Sequence, residues 1–390
     1  MSQTALIRLL ETKTESENIQ SGQKCAFTAD LIVLTDKDAE FAFKRLGTDR
    51  LNINAVLLTR QQGTGLLAQA EKLGITILAC VDPLTAILEN SLVLPGELAI
   101  ANFAGISALG GIGAIGLRCT VTDLVDALQG KPFETRVPNA IRAELSGSLP
   151  SNCDGLDVYL ELRAKVFSAG VSLDLTGQGL AGTSLATRVR LASWAGIAGA
   201  AQVFCVPDKA LVQELNASAT RTFKTFEPAK DASYQATHEL DLSRVRPRII
   251  TSDGQSSTAT EASNNEPKAV VIGGSATCGR IELERIRDVF RNHRPTLPVT
   301  VIPDSENICA SAQADDILDN LEAFGVTVST DPIMPDAGTV ITNVSGIGCF
   351  KVSLTTALQV AIHGRFGAAD NSDKDARDSK LSGRLPKTSI

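Results

Sequence analysis

KAVVIGGSATCGRIELERIRDVFRNHRPTLPVTVIPDS, residues 268–305, is the stretch that decides the fold class. It opens on an apolar run, Lys268 to Gly274, that ends in a glycine turn, which is how a strand buried on both faces reads. Ile281 to Arg291 follows as a helix carrying alternating charges, and Val299 to Pro303 returns as a strand. Beyond it, Ala314 to Phe324 is expected as a helix and Thr327 to Ser329 as a further strand. Strand, glycine-rich turn, helix and strand make a βαβ unit, so this part of the chain builds a parallel sheet.

Upstream the same alternation recurs. Ala29 to Leu34 (ADLIVL) and Asn54 to Leu58 (NAVLL) are expected strands, with Lys37 to Leu46 helical, and Ile75 to Val81 and Leu98 to Asn102 continue the strand and helix alternation. From Arg142, RAELSGSLP reads as a strand and a turn, and Asp154 to Val166 as an amphipathic helix that Asp154 caps. Between Lys230 and Lys268 the chain turns polar, and TSDGQSSTATEASNNEPK has the composition of a flexible linker. NSDKDARDSKLSGRLPKTSI has no apolar periodicity and is expected as a disordered tail. The expected division is an α/β domain over 1–139, a second over 140–229, a linker over 230–267, a third domain over 268–368 and the tail over 369–390.

With 390 residues the chain has ample length for three cores. A net charge of −7 argues against nucleic acid as a partner, since phosphate binding needs clustered Lys and Arg. The longest apolar run, Ile100 to Leu117, is full of Gly and Ala and includes Asn102 and Ser107, so it reads as a buried loop and helix and not as a membrane span. The first residues show neither a secretory nor a transit-peptide pattern, and a cytoplasmic location is expected. Eight cysteines lie far apart without CxxC, and the three histidines stand far from one another and from any cysteine, leaving little material for a zinc site or a Ser/His/Asp triad.

Four blocks, in order, resemble the aconitase superfamily, in particular the large subunits of isopropylmalate isomerase and homoaconitase. Leu92 to Leu124 is similar to L-V-x-P-G-D-L-I-I-G-x-D-S-H-T…G-A-L-G-A…T-D-L, and Arg142 to Pro150 to R-V-E-L-T-G-K-L-P. Val271 to Arg287 is similar to I-G-S-C-T-N-G-R-I-E-D-L-R, and TVIPDSENICASA to the later V-V-P-G-S segment. LATRVRLASWAGIAGAAQVFCVPDKA also follows the family's arginine, A-G-A and P-D-E register. The resemblance implies a three-domain α/β core of parallel and mixed sheets flanked by helices, here without the family's fourth, swivelling domain.

The departures are as informative. The family holds a 4Fe-4S cluster on three cysteines, and its open iron acts as a Lewis acid on the substrate. Ala276 stands at the first of those positions, with Cys278 where an asparagine belongs, and Met334 to Ala337 replaces the later C-G-P-C. The family's aspartate-histidine pair falls on Thr59 and Arg60, its D-S-H on Phe103, Ala104 and Gly105, and its E-A-G-A glutamate on Ile197. Of the closing N-R-N-F-x-G-R only the last arginine remains, as Arg365, with Val360 at the other. The resemblance therefore implies a cluster-free chain, with no metal and no other cofactor expected.

The candidate catalytic residues are Arg60, Ser275, Cys278 and Arg365, and the candidate substrate-binding residues Phe103, Trp194, Thr277 and Arg280. Two guanidinium groups, Arg60 and Arg365, could clamp a carboxylate. The turn at Ser275, Thr277, Cys278 and Arg280 leads into a helix whose N–H groups favour an anion, and a helix N-terminus that lowered its pKa would make Cys278 a nucleophile. Each has a plainer alternative: glycines that only shape a turn, surface ion pairs, a buried thiol, a core tryptophan. The expected function is a repurposed, cluster-free enzyme for cyclisation, isomerisation or water elimination on a carboxylated, relatively apolar acid in specialised metabolism. The alternative is an inactive paralogue or regulatory subunit of a true hydro-lyase. The expected partners are the small acid itself and either a small swivel-type subunit or a second copy of the chain.

Overall fold

The computed structural model describes residues 3–47, 51, 53–61, 63, 65–166, 170–258, 261–274, 276–330, 339–343 and 350–366. The first part runs α1 (Ala5–Glu11), β1 (Lys24–Phe27), β2 (Leu31–Thr35), α2 (Asp36–Phe43), β3 (Ala55–Thr59), α3 (Gly65–Leu73), β4 (Thr76–Ala79), α4 (Pro83–Glu89) and β5 (Leu98–Ala101). A 3-10 helix (Ala104–Ile112), β6 (Ile115–Arg118), α5 (Val121–Leu128) and β7 (Phe133–Arg136) complete it. The second part is β8 (Ala140–Ser146), α6 (Gly155–Lys165), β9 (Ser172–Thr176), α7 (Gln178–Ala181), α8 (Leu185–Ile197), β10 (Gln202–Cys205), α9 (Lys209–Ser218) and β11 (Ala236–Asp241). The third is β12 (Ile249–Ile250), β13 (Ser256–Ser257), β14 (Ala269–Gly273), α10 (Arg280–Asn292), β15 (Val299–Ile302), α11 (Glu306–Ala314), α12 (Ile317–Ala323), β16 (Val326–Val328), β17 (Val340–Thr342), β18 (Phe350–Val352) and α13 (Leu354–His363).

Each part holds one main sheet, the first also a separate antiparallel β1–β7 pair, and the three main sheets repeat a plan. The first sheet, in order β4-β3-β2-β5-β6, is parallel throughout, as is the second, β10-β9-β8-β11. The third is ordered β13-β12-β18-β17-β14-β15-β16, parallel from β18 to β16, with β12 and β13 added antiparallel at one edge. In each the earliest parallel strand lies inside, the next two go to one side and the chain then crosses to the other. That reversal opens a crevice at the carboxyl ends of the inner strands, where doubly wound sheets take their ligands. The expected α/β architecture of parallel and mixed sheets is therefore the observed one.

Local chemistry explains the elements. β2, β3, β5, β9 and β14 are buried along nearly their whole lengths, as strands covered by helices on both faces must be. Asp154 caps α6 as expected, accepting the Leu156 N–H at 2.9 Å, while Asp157 returns the bond to the Asp154 N–H. The Ile100 to Leu117 run is the end of β5, the 3-10 helix and β6. Gly110 lets that helix lie on β10, for a Cβ there would stand 1.5 Å from the Val203 carbonyl oxygen.

One expectation is corrected. The 230–267 stretch is not a loose linker: β11 pairs in parallel with β8 from Ala236↔Ile141 to Asp241↔Ser146, and β12 pairs with β18. ATHELD is polar because β11 is an edge strand with alternate residues toward solvent; its backbone bonds, and not its composition, hold it in place. The expected tail lies outside the described residues. Among the described residues no helix is long and apolar enough to cross a membrane.

Candidate active site

The carboxyl ends of the first and third sheets approach each other. Ser305, just past β15, bonds Glu89 of α4 at 2.7 Å, and Ala276 of the turn after β14 packs against the apolar cluster of the first sheet. α8 flanks the gap: Arg190 donates to the Thr277 carbonyl oxygen at 3.1 Å and pairs with Asp154, which also accepts the Leu354 N–H at 3.2 Å. One guanidinium thus joins the cap of α6 to the turn before α10.

The turn itself is tightly built. Gly273 has φ 121°, and a Cβ there would meet the Ile302 carbonyl oxygen at 1.9 Å, so the turn can follow β14 this closely only with glycine. The Gly273 N–H donates to Asn343 Oδ1 at 2.9 Å, linking the ends of β14 and β17 at the crossing point of the sheet. Thr277 Oγ1 donates back to the Gly274 carbonyl oxygen at 2.6 Å, and the Cys278 N–H donates to Asp304 Oδ2 at 2.6 Å.

Of the sequence candidates, Arg60, Phe103, Thr277 and Cys278 come to this region. Arg60 follows β3 at the exposed rim, its Nε donating to the Val81 carbonyl oxygen at 3.1 Å. Phe103 follows β5 and is partly buried against the first sheet's cluster. Gly196 of α8 abuts Ser107, so Ile197, 40% exposed, stands beside the start of the 3-10 helix. Ser275 and Met334 to Ala337 lie outside the described residues.

Four expectations are corrected. The Cys278 thiol is 0% exposed in the core of the third sheet, and burial, with Asp304 next, pushes its pKa well up, so it is a neutral core thiol and not an activated nucleophile. Arg280 faces away from the gap, bonded to Glu284 at 3.0 Å, to the Ser311 carbonyl oxygen at 2.6 Å and to Asp315. Trp194 belongs to the apolar core of the second sheet. Arg365 lies beyond the C-cap of α13, whereas that helix begins at the gap, so a helix of about 15 Å separates it from the turn. The two-arginine clamp therefore does not form.

The residue that sequence reasoning passed over is Asp304. It is 2% exposed, its Oδ1 lacks a hydrogen-bond partner, and its pKa is pushed up to about 8 by burial first and the charge of Asp82 second. The available signal was VIPDS standing where the resembling block has V-V-P-G-S.

The sequence profile of the aconitase family (aconitate hydratase) matches residues 12–270. The chain belongs to the aconitase family. The 3-isopropylmalate dehydratase large subunit of Acetivibrio thermocellus is 29% identical over 258 residues, 64% of this chain and 61% of that one. The 2,3-dimethylmalate dehydratase large subunit of Eubacterium barkeri is 26% identical over 258 residues, again 64% and 61%. The aconitase-family chain thus spans 61% of the length of these relatives. The crystal structure of Thermococcus kodakaraensis aconitase X (holo-form) superposes with a TM-score of 0.53 at 12% identity over 95% of this chain and 93% of that one, a likeness of fold.

An aconitase-family fold raises the question of the iron-sulfur cluster. Of the three thiolate positions, the described one is Ala276, which has no donor atom, takes φ 57° and packs against apolar neighbours. Cys278, two residues on, is sealed in a core. Among the described residues no group of three or more His, Cys, Asp or Glu could hold a metal ion. At the one described position, then, the chain offers that cluster no ligand.

Proposed function

We propose that the gap between the first and third sheets is an active site for water elimination, isomerisation or ring closure on a carboxylated, relatively apolar acid, worked without the family's cluster and in specialised metabolism. The observation that carries the reading is a doubly wound crevice kept in shape while its rim is apolar at Phe103, Ala104 and Ile197. Such a rim suits a substrate with an alkyl or larger apolar group, and Arg60 is the cation at the rim for its carboxylate. The relatives named above are dehydratases of alkyl-substituted malates by name, which fits the same substrate class. Shape and orientation, holding the acid in a reactive conformation, supply the rate.

The test is anaerobic purification of the full chain, measurement of iron and sulfide, and assay with 3-isopropylmalate and 2,3-dimethylmalate by the absorbance of an unsaturated product. Turnover at iron content far below stoichiometry is expected. A stoichiometric cluster removes the cluster-free part of the reading, and absence of turnover with both acids removes the dehydratase part. Arg60→Ala should raise KM about tenfold or more with a smaller change in kcat, the pattern of lost ground-state binding. Because the relatives are large subunits, a second reading stands beside the first: a binding or regulatory chain that pairs with a small subunit. Co-purification of such a chain with an inactive protein favours it.

A further inference from the structure

Asp304 stands just past the carboxyl end of β15, buried beneath the turn that borders the gap, where the resembling family block carries glycine. One of its oxygens holds the Cys278 N–H at 2.6 Å, and the other is buried without a partner. The groups facing it come from four elements. The turn contributes the Thr277 and Cys278 backbone N–H groups, α10 contributes Glu282, and Asp82, the cap of α4, adds a second negative charge. α8 contributes Arg190, whose charge is already paired with Asp154. The neighbouring Ser305 is taken by Glu89. A carboxylate with one bare oxygen, a like charge nearby and a cation committed elsewhere is a costly species in a water-poor site. Burial first and Asp82 second therefore hold the proton on, up to about pH 8, against the two N–H bonds that favour ionisation.

We propose that Asp304 sets the charge of the crevice floor: with its proton it admits a carboxylate ligand, and without it it expels one. The inference rests on the carboxylic-acid reading of the crevice given above. Asp304 is a positioning residue, acting through the turn whose Cys278 N–H it holds. No bond to carbon forms or breaks, and the only proton that moves is its own, exchanged with water.

The experiment has two arms on the full chain. Carbon-13 NMR of protein labelled at the aspartate carboxyl carbon should show one resonance titrating near pH 8 that is missing from Asp304→Asn, which keeps an acceptor for the Cys278 N–H. Asp174 should titrate nearer pH 7 in both proteins. Calorimetric binding of 3-isopropylmalate, fully ionised at both pH 7 and pH 9, should weaken about tenfold at the higher pH in the wild type and stay level in Asp304→Asn. An Asp304 resonance that titrates only in the ordinary carboxylate range overturns the inference whatever the ligand does. An equal pH dependence in both proteins overturns it too. If the probe binds neither protein at either pH, the carboxylate reading falls and the inference with it, even where Asp304 titrates as described. Should the variant fail to fold, wild-type calorimetry in two buffers of different ionisation heat decides, since absence of proton uptake on binding at pH 9 overturns the proposal.

Discussion

A second carboxyl group, at position 174 on β9, is wholly buried at the centre of the second sheet. Its Oδ2 takes the Tyr234 hydroxyl at 3.0 Å and the Ala5 N–H at 3.3 Å, and its Oδ1 has no hydrogen-bond partner. Burial raises its pKa from 3.8 to about 7, so the folded chain holds a proton that the unfolded chain has released. The associated stability is fully present below pH 4 or so and is lost as pH rises through about 7. Asp174→Asn should therefore unfold much like the wild type at pH 4 and be the more stable protein at pH 8, by at most ~4 kcal/mol. Urea unfolding at the two pH values checks this, and parallel losses in both proteins would sink it. Asp174 and Asp304 were not legible in the sequence, because a single acidic letter inside or after an apolar run does not say whether water reaches it. Cys278 was misjudged for the same reason: the helix start was visible, and the core that seals its thiol was not. The strand-end place of Phe103 was legible through the Leu92 to Leu124 block and that of Arg60 through the apolar run before it, which says where they stand and not what they do.

At the scale of elements, the β14–α10–β15 unit was readable because apolar runs, a glycine turn and charge alternation agree there. β11 was missed because an edge strand with polar letters resembles a linker, and α11 (ENICASAQA) because it buries little more than Ala312. Contacts between elements depend on glycines that composition alone does not rank. Gly110→Ala would drive a methyl into the Val203 carbonyl oxygen and within 2.7 Å of Gln202 Nε2. It should cost ~3 kcal/mol or more, or abolish folding, since a clash with backbone cannot relax by a side-chain rotation. Gly65→Ala, at the start of α3 with nothing within 4 Å, is the matched control and should be neutral or stabilising by up to about 1 kcal/mol. Thermal unfolding of both variants checks the contrast, and equal melting points would show that the close approach of the 3-10 helix to β10 is unimportant.

Across the whole molecule, the three sheets are held by pieces distant in sequence. α1 puts Ala5, Leu6, Ile7, Leu9 and Leu10 into an apolar cluster shared with Phe27, Leu34, Phe204 and Phe226, so the first helix seals the first sheet against the second. Each large apolar side chain buried this way contributes roughly 1.5–3 kcal/mol, and a domain's whole margin is about 5–15 kcal/mol. Deleting residues 1–11 should yield a chain that binds hydrophobic dyes and melts far lower, or does not accumulate as soluble protein. An unchanged melting temperature would refute that role for α1. The family and the α/β architecture were legible at this scale because they are written in blocks along most of the chain; the way sheets meet was not, because it depends on buried pairs such as Arg190 with Asp154.

The Ser305–Glu89 bond joins residues 216 positions apart across the gap between two sheets. A guest lodged in that gap would be gripped by two bodies at once, so its departure and the parting of those bodies become a single event. Residence time would then follow the stiffness of the seam more than the number of contacts on the guest. Cutting the seam with Ser305→Ala should quicken release while leaving the rate of entry nearly as it was, and the first and third sheets should melt together when the gap is full and apart when it is empty.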